Sequence, residues 1–372
     1  MTTIEVKKRQ AVSELVALPE PGPEREKLAN KQLETARAIR TTGDRQGAAD
    51  TLVTAIRGGL WRYARLWSEL RSLMEEPGDY AQIRALWWES PRSCHGIVPL
   101  LTTVARAAAA AGEHEEARAL ARKAIVLQAL RSKRFRHRLG KVKHGALAST
   151  RRMRSAPDDS GFDALATVAL KELNTQLAHL NVRGFLISGT LLGYVRDSGF
   201  ISWDKDIDLG FFTSEIAPSD LVEAFEATEN FHVRRLDFNT DRLRINHANG
   251  MMIDVFPHYE GEDGRVWHDG TATRWWNSPF DLTTVEFLGV PQFVPDPPEQ
   301  YLDENYGNWR VPESNFDARM DAPNAEVTDQ AFLDTLCYFA LLDGINKGNR
   351  VKVDRFIGHL RDLGESHWLD RI

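Results

Sequence analysis

The sequence predicts an α+β protein in which a helical half precedes a half built on a small mixed sheet, and three observations lead there. Up to about residue 130 the chain is rich in Ala, Leu and Arg, with helical periodicity and little β-branched sequence. Pairs of Gly with an acidic residue recur in that half at a spacing near 34 residues. From about residue 182 short apolar runs, separated by polar or Gly-containing stretches, replace the helical pattern and have helical segments on either side. With 372 residues the chain has room for two or three domains, because one hydrophobic core rarely grows beyond about 250–300 residues.

Taken in order, residues 18–23 (LPEPGP) are a stiff linker that cuts off the first helix-like stretch. Gly43-Asp44, Gly78-Asp79 and Gly112-Glu113 then each open a helical segment. The first and third segments align position by position, with Ala48 matching Ala117, while the middle one is degenerate. Such a period resembles the tetratricopeptide repeat, a helix–turn–helix unit with Gly in the turn and small residues where helices touch. Residues 1–130 are therefore read as an α-helical repeat domain, offering a surface for a protein partner or for self-association. Residues 131–158 form a basic linker or helix: from Arg131 to Arg154 there are ten Lys and Arg and no acid, on a chain whose formal net charge is −6. A cationic stretch on an acidic protein suits an anionic partner such as a membrane surface, nucleic acid or a phosphorylated polymer, or is a solvated junction between domains.

Residues 159–372 are read as one catalytic domain with C-terminal helices. Residues 162–180 give an amphipathic helix. Strands are expected at 182–188, 201–212, 232–238, 243–248 and 251–259, with a helix at 218–228 and helical pattern again from about 328.

The chemistry concentrates in the run Ile201-Ser202-Trp203-Asp204-Lys205-Asp206-Ile207-Asp208-Leu209. On a strand, side chains alternate, so Asp204, Asp206 and Asp208 share one face while Ile207 and Leu209 point to the core. Carboxylates so placed repel one another unless a cation sits between them, and hard oxygen ligands suit Mg²⁺ or Mn²⁺ bound together with substrate phosphates. Asp254 stands in the apolar run Met252-Ile253-Asp254-Val255-Phe256-Pro257 and needs a partner, since an unpaired buried charge is very costly. It is either a third ligand or a base beside Asp206 and Asp208, or an acid paired with Arg244 on an adjacent strand. Gly189-Thr190 follows an apolar strand and opens a helical stretch, where backbone N–H groups and the Thr hydroxyl can hold phosphate oxygens. Trp203 fits either stacking on a ligand ring or core packing. His247, His258 and His268 lack the spacing of a zinc set.

The run ISGTLLGYVRDSGFISWDKDIDLGF resembles the LicD/fukutin-related family of the nucleotidyltransferase superfamily, whose pattern is Gly-Thr-Leu-Leu-Gly, an Arg, then Ile-x-Trp-Asp-x-Asp-Ile-Asp. The later Ile253-Asp254-Val255-Phe256-Pro257 fits as well, as does the stretch from Tyr301 and Leu302 through Tyr306-Gly307 to Pro312. The resemblance covers roughly residues 160–315 and implies a nucleotidyltransferase-like fold. It implies transfer of a phosphorylated alcohol (phosphocholine, ribitol phosphate or glycerol phosphate) from a CDP-activated donor to a glycan hydroxyl, with CMP released. By position it makes Asp206 and Asp208 metal ligands, with Asp254 as the third carboxylate. Gly189, Thr190, Arg196, Trp203 and Asp204 fall to the donor. Lys205 departs from the family, where many members have another acid.

Composition, with 42% hydrophobic and 27% charged residues, is that of a globular chain and not a disordered one. No apolar run of about 18 residues and no apolar stretch after the N-terminal basic residues occurs, and the only cysteines are Cys94 and Cys337. The resulting expectation is a cytoplasmic enzyme, peripheral at the inner membrane face, that builds or modifies cell-envelope polysaccharide such as capsule and has no nucleic-acid partner. Two other readings stand beside it: transfer of the nucleotide itself to a small molecule or protein, and a non-catalytic adaptor that keeps a relic transferase domain.

Overall fold

A computed structural model describes residues 22–140, 159–201, 206–235, 240–313 and 315–372. Trp203, Asp204, Lys205 and most of the basic stretch from 141 to 154 lie outside the described residues. The chain divides into two compact units, residues 144–333 and the rest.

The first unit is helical. Helices α1 (Pro23–Arg40) and α2 (Arg45–Ala55) form one hairpin, and α5 (Val98–Ala110) and α6 (His114–Gly140) another; α3 (Ala64–Ser72) and α4 (Tyr80–Glu89) lie between them in sequence. The repeated glycines explain the turns. Gly43 and Gly112 follow α1 and α5 with φ of +79° and +80°, a left-handed conformation that side chains disfavour. Asp44 then caps α2 by accepting a hydrogen bond from the Gly47 N–H at 2.8 Å. Ala48 and Ala117 are both fully buried, so the matched small residues do lie where helices meet. Gly78 has no left-handed turn and sits in a short 3-10 segment, in keeping with its degenerate copy.

Residues 334–372 belong to this helical unit, although the sequence reading attached them to the catalytic half. Helix α12 (Gln330–Lys347) is apolar and buried over most of its surface and α13 (Arg350–Asp362) is amphipathic, and such patterns show burial without showing against what. Here α6 receives them: Arg118 donates to Thr335 Oγ1 at 3.1 Å and Arg122 to Glu365 Oε1 at 2.5 Å, while Arg106 of α5 lies 4.6 Å from the Phe339 ring. Among the described residues no helix is long and apolar enough to cross a membrane.

The second unit is α+β, as expected. Its strands are β1 (Phe185–Leu186), β2 (Ile207–Phe212), β3 (Phe231–Arg235), β4 (Leu243–His247), β5 (Met252–Glu260), β6 (Val266–Gly270), β7 (Thr273–Asn277), β8 (Asp281–Phe287), β9 (Val290–Asp296) and β10 (Ala325–Val327). They run in the order β10-β7-β6-β5-β2-β1-β9-β8, with β4 also pairing with β5, and β3 with β4. The β2–β5 and β1–β9 pairs are parallel and the others antiparallel. The five strands expected from sequence are present, shifted by a few residues; β6 to β10 were not foreseen. Helices α7 (Asp159–His179), α8 (Ser188–Leu192), α9 (Pro218–Glu226), α10 (Pro298–Tyr306) and α11 (Ala318–Asp321) complete the unit.

Alternation sorts the central strands into two faces. Ile207, Leu209 and Phe211 of β2 share one face with Ile253 and Val255 of β5 and Ile245 and Leu243 of β4. All are essentially buried, in one core with Leu170, Leu173 and Leu177 of α7. The opposite face holds the Asp208–Asp254 and Phe212–His258 pairs, with Gly210 between. A side chain at Gly210 would meet the Phe185 ring at 2.5 Å and the His258 ring at 2.7 Å, so only glycine lets both rings close over the strand.

Candidate active site

One strand register assembles the polar row. Asp208 on β2 lies beside Asp254 on β5, and Arg244 on β4 lies on the other side of Asp254. Asp254 is 7% exposed and receives a bidentate ion pair, Arg244 Nε to Oδ1 at 2.5 Å and Nη2 to Oδ2 at 2.7 Å. The sequence left Asp254 between a metal ligand or base and an acid paired with Arg244. The structure contains the pair, and it also places Asp254 next to Asp208. Asp206 Oδ2 is 3.8 Å from Arg244 Nη2, so the same guanidinium lies near two of the acids. Its hydrogen bonds to Asp254, then the charges of Asp254, Asp206 and Asp208, raise the Arg244 pKa further above its ordinary value, against the opposing effect of burial.

Asp208 is fixed by the turn that follows β1. Its carbonyl accepts from the Ile187 N–H at 3.2 Å, its Oδ2 from the Gly189 N–H at 3.0 Å, and its own N–H donates to Thr190 Oγ1 at 2.9 Å. Ser188 reaches this arrangement with a left-handed φ of +47°. Two sequence expectations change accordingly. Thr190, assigned to donor phosphates, is fully buried and its hydroxyl holds the strand. The Gly189 N–H, assigned likewise, is directed to Asp208. Arg196 is also committed elsewhere: it donates to both oxygens of Asp197 at 3.0 and 2.9 Å and to the Trp309 carbonyl at 3.2 Å.

Asp206 does not share a strand face with Asp208. Among the described residues the strand starts at Ile207, because its ladder to β5 begins there, and Asp206 stands in a bend just ahead of it. Among the described residues no three acidic, histidine or cysteine side chains converge as a ready ligand set. The donor chemistry nevertheless suits a hard cation, for Asp206 and Asp208 supply carboxylate oxygens at one place and such ions take most remaining ligands from water and substrate phosphates.

Sequence reasoning passed over the aromatic cluster on the same sheet face. His258 is fully buried, T-shaped to Phe185 at 4.9 Å and stacked on His268 at 4.5 Å, with Tyr301 Oη 3.5 Å from its Nε2. Its Nδ1 lies 2.9 Å from the Phe256 carbonyl, an acceptor only, so the ring proton sits on Nδ1. Burial lowers the His258 pKa from 6.5 to about 4, partly opposed by that hydrogen bond, and burial with the neighbouring His258 lowers His268 well below its usual range. Burial and then Tyr306 and Asp208 raise Tyr301 well above its own. The sign for stability follows directly. The unfolded chain takes up a proton near pH 6.5 and the folded chain only near pH 4, so stability is present above 6.5 and is lost as pH falls through that window. The loss from His258 alone comes to about 3 kcal/mol at 1.36 kcal/mol per pH unit. His258→Phe is expected to flatten the acid limb of a melting-temperature profile between pH 6.5 and 4; an unchanged limb would place the acid sensitivity elsewhere.

The Trp pair at 275 and 276 is split by alternation. Trp275 is buried and donates to the Ala318 carbonyl at 3.0 Å, and Trp276 donates to Glu326 at 2.6 Å under the Arg265 guanidinium. Both serve as packing anchors here.

Comparison with known proteins falls on this unit. Residues 181–296, from the turn after α7 to the last residue of β9, match the family described as LicD/FKTN/FKRP, nucleotidyltransferase domain. The protein of Mus musculus named Ribitol-5-phosphate transferase FKTN is 30% identical over 183 residues, 45% of this chain and 39% of the relative. Its namesake in Homo sapiens is 30% identical over 171 residues, 44% of this chain and 36% of the relative. The uncharacterized protein T07A5.1 of Caenorhabditis elegans is 29% identical over 176 residues, 43% of this chain and 46% of the relative. The chain thus spans less than half the length of each of these relatives. Fold, carboxylate row and similarity coincide on one stretch of sequence, residues 181–296, which is similar to the LicD/FKTN/FKRP nucleotidyltransferase domain.

Proposed function

We propose that this chain transfers a phosphorylated alcohol, of the phosphocholine, ribitol-phosphate or glycerol-phosphate type, from a CDP-activated donor to a hydroxyl of a cell-surface glycan. The observation that carries the reading is the row Asp208–Asp254–Arg244 with Asp206 beside it, in a domain whose mammalian relatives are named as ribitol-5-phosphate transferases. In the reaction the acceptor oxygen bonds to the phosphorus that bears the alcohol. The bond from that phosphorus to the bridging oxygen breaks, and CMP leaves with the electron pair. Such transfers ask the protein mainly for positioning and for compensation of charge.

Asp206 and Asp208 would hold Mg²⁺ or Mn²⁺, which when bound would neutralise charge on the donor pyrophosphate. Arg244 pairs with both oxygens of Asp254 and fixes its plane. Each Asp254 oxygen has a lone pair beyond the one Arg244 uses, so Asp254 can accept a hydrogen bond from the incoming hydroxyl and take its proton. The turn at 187–190 keeps Asp208 from swinging away as charge develops.

A thermal-shift series with Mg²⁺ and CDP-choline, CDP-ribitol or CDP-glycerol, against ADP- and UDP-linked controls, tests the reading. A ligand at one hundred times its Kd stabilises by about 2.7 kcal/mol. For a unit of this size that is a rise of roughly 5–10 °C. The rise should be confined to CDP compounds and require the metal, and turnover should release CMP. Nucleotide incorporated into the product would instead mean nucleotidyl transfer, and no shift with any nucleotide would overturn the enzymatic reading.

A further inference from the structure

The carboxylate face carries a second arginine that the transfer step does not use. Arg242 directly precedes β4, at the place where β5 changes partner from β4 to β6. Its guanidinium carbon lies 5.6 Å from the centre of the Phe256 ring. Phe256 follows Asp254 by two residues on β5 and pairs with Gly210, so it stands on the same face as the carboxylates. Burial, then His258 and then Arg242 lower the His268 pKa, which puts the guanidinium within electrostatic reach of that ring as well.

The two arginines differ in what they hold. Arg244 spends Nε and Nη2 on the two oxygens of Asp254. Arg242 is half-buried and, among the described residues, makes no ion pair and a single side-chain hydrogen bond, Nη2 to Thr271 Oγ1 at 3.4 Å. The Phe256 ring attracts its charge but offers no oxygen to its N–H groups. A guanidinium stays charged at any working pH, and its planar fork of donors matches phosphate and carboxylate groups.

Position says which part of a substrate would meet it. Asp208, Asp254 and Arg244 form a row across β2, β5 and β4, strands spaced roughly 4.8 Å apart. Along the strands Asp206 precedes that row, while Arg242 lies beyond it, beside Phe256 and on the β4 side. Asp206 and Arg242 therefore stand at opposite corners of the site with Asp254 between them. In the proposed reaction the donor pyrophosphate belongs with Asp206 and Asp208, and the incoming hydroxyl with Asp254. We infer that Arg242 receives an acidic group, phosphate or carboxylate, of the acceptor, so that the acceptor glycan is anionic close to the hydroxyl that reacts. The role of acceptor rests on the proposed transfer; the anion site at Arg242 does not.

The test titrates the whole protein with glucose 6-phosphate, glucuronate and glucose under ligand-observed NMR in EDTA, using wild type, Arg242→Gln and Arg242→Lys. At least one of the two acids should bind with a millimolar Kd, and glucose should bind more weakly than either. Arg242→Gln should weaken the acid's binding about tenfold or more, the scale of a lost charge-assisted pair. Arg242→Lys should fall between the two, since it keeps the charge and loses the fork. Arg242→Gln should also melt within about 2 °C of wild type, because the side chain gives up only one long hydrogen bond. Mg²⁺ and CMP added together should leave the acid bound. The inference is overturned if neither acid binds up to about 20 mM, if glucose binds as well as the acids, or if Arg242→Gln binds like wild type. A large fall in melting temperature for Arg242→Gln would make Arg242 a structural prop and overturn it too. Binding that requires Mg²⁺, or that CMP displaces, would move the anion to the donor side and leave the transferase reading standing. The assay reads no turnover, so failure of the transferase reading would not alter its result.

Discussion

Asp208→Asn should lower turnover roughly a thousandfold, the scale on which removal of one preorganised charge acts at a reacting centre. It should not lower the melting temperature. An asparagine oxygen still accepts from the Gly189 N–H, so the turn at 187–190 keeps its anchor. The substitution also removes one of three negative charges gathered around a single Arg244. Relief of that repulsion makes the variant equally or slightly more stable, as when a site trades stability for function. Asp206→Ala should show the same loss of turnover without a fall in melting temperature, since Asp206 stands in a bend ahead of the strand. CMP release from a CDP-alcohol and a thermal melt on the same samples check both. Turnover within tenfold of wild type in either variant would sink the assignment of these carboxylates.

The second large effect falls on stability. Arg244→Ala leaves the Asp254 carboxylate buried with its bidentate partner gone. Breaking such a pair costs about 3–5 kcal/mol, and the lower end applies because Arg244 is itself 28% exposed. At 2–4 °C per kcal/mol the sheet unit should melt roughly 6–12 °C lower. The double variant Arg244→Met/Asp254→Leu should recover much of that loss, because replacing both partners by apolar side chains removes the stranded charge. The double variant would still be inactive, which separates the structural from the chemical role of the pair. If Arg244→Ala melts with wild type, Asp254 is not compensated by Arg244 and the account of the row fails.

Much of this site was legible in the sequence because a lone Asp in an apolar run is conspicuous. Ile207-Asp208-Leu209 and Ile253-Asp254-Val255 each announced an acid on the reverse side of a core strand, and the parallel register placed them together. Arg244, between Leu243 and Ile245, announced a side chain on one strand face with equal clarity. Strand order decides which neighbour it meets, and order is a property of long-range pairing. Thr190 misled for a related reason. A Thr at a helix start offers its hydroxyl to any acceptor or donor in reach, and here its oxygen accepts from the Asp208 N–H. Strands β6 and β7 stayed hidden because their inward residues include His268, Thr273 and Asn277, which do not read as a core pattern. The final helices were visible as helices, while their attachment to the N-terminal unit was not, since an apolar pattern carries no address.

The parallel pairing of β2 and β5 has one more consequence. Parallel neighbours cannot be joined by a tight turn, so a crossover must run from Phe212 to Met252, and it contains α9, β3 and β4. The distance between the two acids is therefore set by the pairing of their own strands, whereas the guanidinium that balances them arrives on the crossover. Spacing and charge balance are governed by separate stretches of chain. Insertions and deletions before β4 can retune how the acids are neutralised, while the acids keep their separation.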